Sequence, residues 1–137
     1  MNLKKIILYK EPSISEINTE LLTEFLEEKF PIKVEIRNNV FKEFSLEDIK
    51  KLSNIRITDI KNPFSEYGAS DNEIEFEKKL CEDSSVMNST TKVENAQEIS
   101  EVFMYDGFEL QKILRYLNKD NEVLHIILTN RLTCTFD

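Results

Sequence analysis

The first 37 residues constrain the fold most, because two periodicities change over within them. Leu3 to Tyr9 reads LKKIILY, a short apolar-rich run expected to form a strand. Pro12 ends it, and Ser13 to Glu16 has the spacing of a capping box. Ile14, Ile17, Leu21, Leu22, Phe25 and Leu26 then recur at helical spacing, with Glu20, Glu24, Glu27 and Glu28 on other faces, until Phe30-Pro31 stops the run. Ile32, Val34 and Ile36 alternate with Lys33, Glu35 and Arg37, the period-2 pattern of a half-exposed strand. Strand, helix and strand in this order form a βαβ unit, which predicts a right-handed crossover and two parallel strands. The expected fold class is therefore α/β: a layered mixed sheet nucleated by residues 3–37, with helices over 14–29 and 107–118 packed on it.

Later segments extend this plan. Ser45 is expected to cap a short helix reaching Leu52, with Asp48 in its first turn. Ile55, Ile57 and Ile60 suggest a further strand, and Asn62-Pro63 and Tyr67-Gly68 mark an irregular loop. A helix starts at Asp71, its apolar positions being Ile74, Phe76, Leu80 and Cys81. Residues 83–100 hold six Ser or Thr and no hydrophobic period, and are read as a flexible insertion. Val102 to Tyr105 reads as a strand, and Asp106 caps a helix carrying Leu110, Ile113, Leu114 and Leu117. Val123 to Thr129 is apolar enough to predict a central strand covered on both faces. With 137 residues, the chain is expected to form a single domain over 1–137. It closes on β-prone Thr133-Cys-Thr-Phe-Asp137 without a polar tail, so it is expected to be incomplete at the C-terminus. A stop inside an edge strand is the alternative.

Charge removes several partners. Residues 1–70 carry 11 basic and 12 acidic groups, whereas residues 71–137 carry 7 and 14. A phosphate backbone would be repelled by that second half, which argues against nucleic acid. No apolar run approaches the ~20 residues of a membrane span. No secretory leader is visible, and Cys81 and Cys134 lie far apart, so a reduced cytoplasmic protein is expected.

Chemistry-bearing patterns are few. His125 is the one histidine, set inside an apolar run, and reads as a structural residue. A zinc site drawn from His125, Cys81, Cys134 and a carboxylate would lack any motif spacing, and no HExxH, CxxC or EF-hand loop occurs. No G-x-S-x-G elbow surrounds a serine. With two glycines in the chain, phosphate cradles are disfavoured, which weakens a nucleotide-binding reading. Asp106 opens a helix where anions could bind, but its own carboxylate would occupy that cap. The corner Thr129-Asn130-Arg131 follows a strand, where ligands of open α/β sheets gather, and offers two polar side chains plus a guanidinium. Loop-stabilising hydrogen bonds are its other reading. Thr129, Asn130, Arg131 and Asp106 are thus the candidate site residues; no catalytic, cofactor-binding or metal-binding residue is assigned.

Four segments carry a family resemblance: ILYKEPS at 7–13, NEIEFEKKLCED at 72–83, MYDGFELQKILRYL at 104–117 and HIILTNRLTCTFD at 125–137. Tyr105 to Phe108 and Thr129 to Leu132 are its most specific points. Together they resemble the N-terminal half of an uncharacterised archaeal metallopeptidase-like family, which is distantly similar to the archaemetzincins and through them to zinc-dependent metzincin peptidases. In such peptidases the metal-binding residues lie on a helix after the sheet and in the segment beyond it, and no position here matches them. The resemblance therefore implies a non-catalytic, sheet-bearing N-terminal portion, inactive alone, with zinc expected only alongside a missing C-terminal segment. It also implies an apolar surface near residues 123–136 that awaits the missing half or another protein partner. The competing reading is a complete small cytosolic α/β protein acting as an interaction module.

Overall fold

A computed structural model describes residues 2–59, 61–65, 67–84 and 104–135. Ile60, most of the expected insertion at 83–100, Val102 and Phe103 lie outside the described residues. The α/β class holds. Strand β1 (Lys5–Lys10) is central in a three-stranded sheet, flanked by β2 (Lys33–Arg37) and β4 (Val123–Leu128). Both neighbours run parallel to it, with Ile6 opposite Val34 on one side and Leu124 on the other. Two further strands, β3 (Met104–Asp106) and β5 (Leu132–Cys134), pair in parallel as a second small sheet. The described strands thus pair in parallel where a mixed sheet was expected.

The pleat of β1 places its side chains in two cores. Ile7 and Tyr9 join the larger one, with Phe41, Leu52, Leu80 and Tyr105. Ile6 and Leu8 join the smaller one, with Val34, Leu22 and Leu26. These four residues of β1 are at most 5% exposed. At about 1.5–3 kcal/mol per buried aliphatic side chain, this strand anchors the sheet. That role was expected of Val123–Thr129. Instead β4 pairs only with β1 among the described strands, its residues are half-buried, and Leu124 is 42% exposed. An apolar run marks burial potential, while the position within the sheet depends on pairing partners far away in sequence.

Helix α1 (Thr19–Lys29) connects β1 to β2 and starts five residues later than expected. Its cap is Asn18, whose Oδ1 accepts from the backbone N–H of Glu20 and Leu21, both at 3.1 Å. Ser13 has other partners: its N–H donates to Ser84 Oγ at 3.1 Å and its carbonyl accepts from Asn130 Nδ2 at 2.8 Å. Residues 11–18 are held as a loop at the end of the sheet, which removes them from the helix.

Helix α2 (Leu46–Asn54) and helix α3 (Asp71–Glu82) both begin with reciprocal capping boxes, Ser45 with Asp48 and Ser70 with Glu73. A 3-10 turn over Val40–Glu43 precedes α2 and buries Val40 and Phe41. Helix α4 (Gly107–Leu114) continues as a 3-10 turn over Arg115–Leu117, matching the expected span. Among the described residues, the strand expected over Ile55, Ile57 and Ile60 is reduced to one antiparallel bridge between Arg56 and Tyr105. Ile57 N–H donates to Met104 O at 2.8 Å and Asp106 N–H to Ile55 O at 2.9 Å, so this segment borders β3. Ile55 serves as the C-cap of α2, and Asn62 N–H donates to Asp59 O in the turn that follows, so the described backbone here is committed to a cap and a turn.

Candidate functional site

The parallel register of β1 and β4 brings their carboxyl ends side by side. Lys10 faces Leu128, and Glu11 N–H extends the pairing by donating to Leu128 O at 3.2 Å. The next residues on each strand, Glu11 and Thr129 to Arg131, therefore converge. Thr129 Oγ1 donates to Glu11 Oε2 at 2.5 Å and accepts from the Arg131 N–H at 2.9 Å. Asn130 ties the corner to the carbonyl of Ser13.

Arg131 then turns inward and is 3% exposed. Its Nε donates to Glu11 Oε1 at 3.1 Å, and its Nη1 to Glu77 Oε1 at 2.6 Å and Tyr105 Oη at 2.9 Å. The guanidinium carbon stands 4.4 Å from the centre of the Phe41 ring, a cation–π contact. Glu77, on α3, is itself shared: Arg56 Nη2 donates to its Oε2 at 2.5 Å, and the Tyr105 hydroxyl donates to the same carboxylate at 2.9 Å. Two guanidinium groups thus balance two carboxylates in a setting almost closed to water, and six segments of chain meet there: the residue after β1, the turn carrying Phe41, residue 56, α3, β3 and the β4–β5 turn.

Burial disfavours the charged form of Arg131, but Tyr105, Glu77 and Glu11 outweigh it and hold the guanidinium above its ordinary pKa. Burial, reinforced by Glu77, also raises the Tyr105 hydroxyl, which stays a proton donor. Burial pushes the Cys81 thiol up to about 12 despite the Arg131 charge nearby. It is a protonated, unreactive thiol.

Of the four candidates from sequence, three converge here and one does not. Asp106 caps α4, accepting from the N–H of Phe108 at 3.0 Å and Glu109 at 3.2 Å. It borders a separate cavity of about 350 Å³, shared with Asn54, Arg56, Phe64 and Glu109. His125 is elsewhere, stacked on Tyr9 with ring centres 5.8 Å apart and with Nδ1 3.0 Å from the Tyr9 hydroxyl. Burial, then the charge of Arg37, lowers its pKa. Glu11, Arg56, Glu77 and Tyr105 join the cluster without being candidates from sequence, although Tyr105 opens one of the most specific segments of the family resemblance. Only Glu77 left a local sign: it is a carboxylate three residues from Ile74 and from Leu80, inside the apolar stripe of α3.

The family model described as "Probable metallopeptidase family (DUF6775)" matches residues 2–137. The chain belongs to this family. Comparison with curated proteins and with solved structures gives no match.

The family's description implies a metal, which in hydrolases of this kind is held by several His, Cys or carboxylate ligands. The described residues do not fit one. Among them no three His, Cys, Asp or Glu side chains gather as a metal would require. The two converging carboxylates, Glu11 and Glu77, have Arg131 between them, so a cation would meet a guanidinium already in place. Among the described residues no helix is long and apolar enough to cross a membrane.

Proposed function

We propose that this chain is a non-catalytic scaffold portion of a metallopeptidase-like protein, and that any metal-ligating side chains come from outside its described residues. The observation that carries this reading is the Arg131 knot. At the carboxyl ends of β1 and β4, where an open α/β sheet ordinarily presents its ligand site, the polar groups are spent on one another. Carboxylates neutralised by buried arginines neither ligate a metal nor act as a general base, so the corner serves to join the two sheets.

The test uses the chain as it stands. Zinc is added during equilibrium dialysis and thermal melting, with a peptide-hydrolysis assay in parallel. Retention of less than one zinc per chain, an unchanged melting temperature and no cleavage are expected. Stoichiometric zinc with a rise of several degrees would overturn the reading, since a ligand bound only by the folded state raises its stability. Reading the coding sequence beyond Asp137 for a histidine-bearing helix tests where the ligands lie.

A further inference from the structure

We propose that the outward side of α1 is a docking surface for a cationic amphipathic segment of a partner protein. Helix α1 has no buried residue, and only Leu22 and Leu26 turn toward the smaller core. Leu21 and Phe25, one turn apart, face away from it at 61% and 53% exposure, with Ile17 just ahead of the cap at 37%. Glu20, Glu24 and Glu28 recur at the same four-residue spacing, one residue behind Leu21 and Phe25, and are exposed. At ~100° per residue this spacing builds two adjacent ridges, one apolar and one acidic. Solvent-facing leucine and phenylalanine in such an arrangement mark an interaction surface more than a solubilising one.

Charge selects the occupant. Residues 16–30 hold five glutamates and one lysine. Glu27 accepts from the Val34 N–H, so it is directed to β2 and leaves the other four around the apolar ridge. A second copy of this chain would set one acidic ridge against another, and an anionic lipid surface would be repelled in the same way. A helix with apolar anchors beside lysines or arginines meets both ridges at once, in the helix-in-groove style of recognition. The patch already tolerates a cation: Lys29 Nζ stands 5.8 Å from the centre of the Phe25 ring.

The experiment titrates the full chain into a fluorescent Lys/Leu amphipathic peptide of roughly 18 residues, long enough to form a helix, and into a scrambled peptide of the same composition. Variants are L21S/F25S and E20Q/E24Q/E28Q, all at exposed positions, with melting temperature as the folding control. The amphipathic peptide is expected to bind roughly tenfold tighter than its scrambled isomer, and each variant to lose roughly tenfold. Equal binding of the two peptides, binding untouched by L21S/F25S, or no binding at all would overturn the proposal. So would sedimentation showing a dimer of the chain that L21S/F25S dissolves, which would make a second copy the occupant. None of these outcomes depends on the zinc result, so this proposal and the scaffold reading fail separately.

Discussion

Arg131 Nη1 lies 2.6 Å from Glu77 Oε1, and neither side chain has measurable exposure to water. This contact joins the β4–β5 turn to α3 across 54 residues of sequence. A buried ion pair adds little when compared with a well-packed apolar pair, but breaking one from a single side is expensive.

Replacing Arg131 with Met should therefore destabilise the fold by about 3–5 kcal/mol, since it leaves Glu11 and Glu77 short of a counter-charge in a dry setting. Urea unfolding measures this: the midpoint should fall while the slope stays unchanged. A loss below about 1 kcal/mol would mean that water or rearranged side chains already serve these carboxylates.

The two cysteines should separate cleanly by reactivity. Cys81 is 2% exposed and its thiol is pushed up to about 12, whereas Cys134 is partly exposed. Iodoacetamide at about pH 8 should label Cys134 in the native protein, and both residues only in denaturant. Mass spectrometry of tryptic peptides reads the result, and native labelling of Cys81 would contradict the burial described.

His125 sets a pH dependence. Its folded-state pKa is lowered, by burial first and by Arg37 second, so the folded protein holds this proton less well than the unfolded chain. Stability from this group is therefore full above the unfolded value of about 6.5 and declines as pH falls through the lower folded value. Melting temperature followed between about pH 7.5 and 5 should drop, and H125Q should flatten that part of the slope. An identical slope in H125Q would assign the effect to carboxylates.

Gly107 is required for space, not for backbone freedom. A Cβ there would stand 2.7 Å from Thr135 Cγ2 and 3.4 Å from Cys134 O. Gly107→Ala should cost about 1–3 kcal/mol by overpacking α4 against β5. Thr135→Ser removes the offending methyl and should recover most of the loss in the double variant. Failure to recover would locate the clash at the Cys134 carbonyl instead.

Local periodicity made the opening of the fold legible. The alternation at Ile32, Val34 and Ile36 and the helical spacing from Leu21 to Leu26 report on neighbours within one turn or one pleat, and β1, α1 and β2 follow from them. The capping serines of α2 and α3, Ser45 and Ser70, are equally local signals. Asn18 displaced the Ser13 box because Ser13 is engaged by Ser84 and Asn130, contacts that no spacing rule reaches. The corner Thr129 to Arg131 was found by its position after a strand. Its partners Glu11 and Glu77 carry no such signal, because ion pairs across 120 and 54 residues leave no periodic trace. The centrality of β1 over β4 was hidden for the same reason.

That centrality has a consequence for synthesis. Lys5 of β1 finds its β4 neighbour, Val123, only 118 positions later. At roughly 5–20 residues per second, a ribosome leaves the flank of β1 that β4 will cover unmatched for about 6–24 seconds. The nascent chain must carry an apolar strand with one bare edge until β4 has been made, and throughout that interval the edge is open to chaperones and to wrong pairing partners.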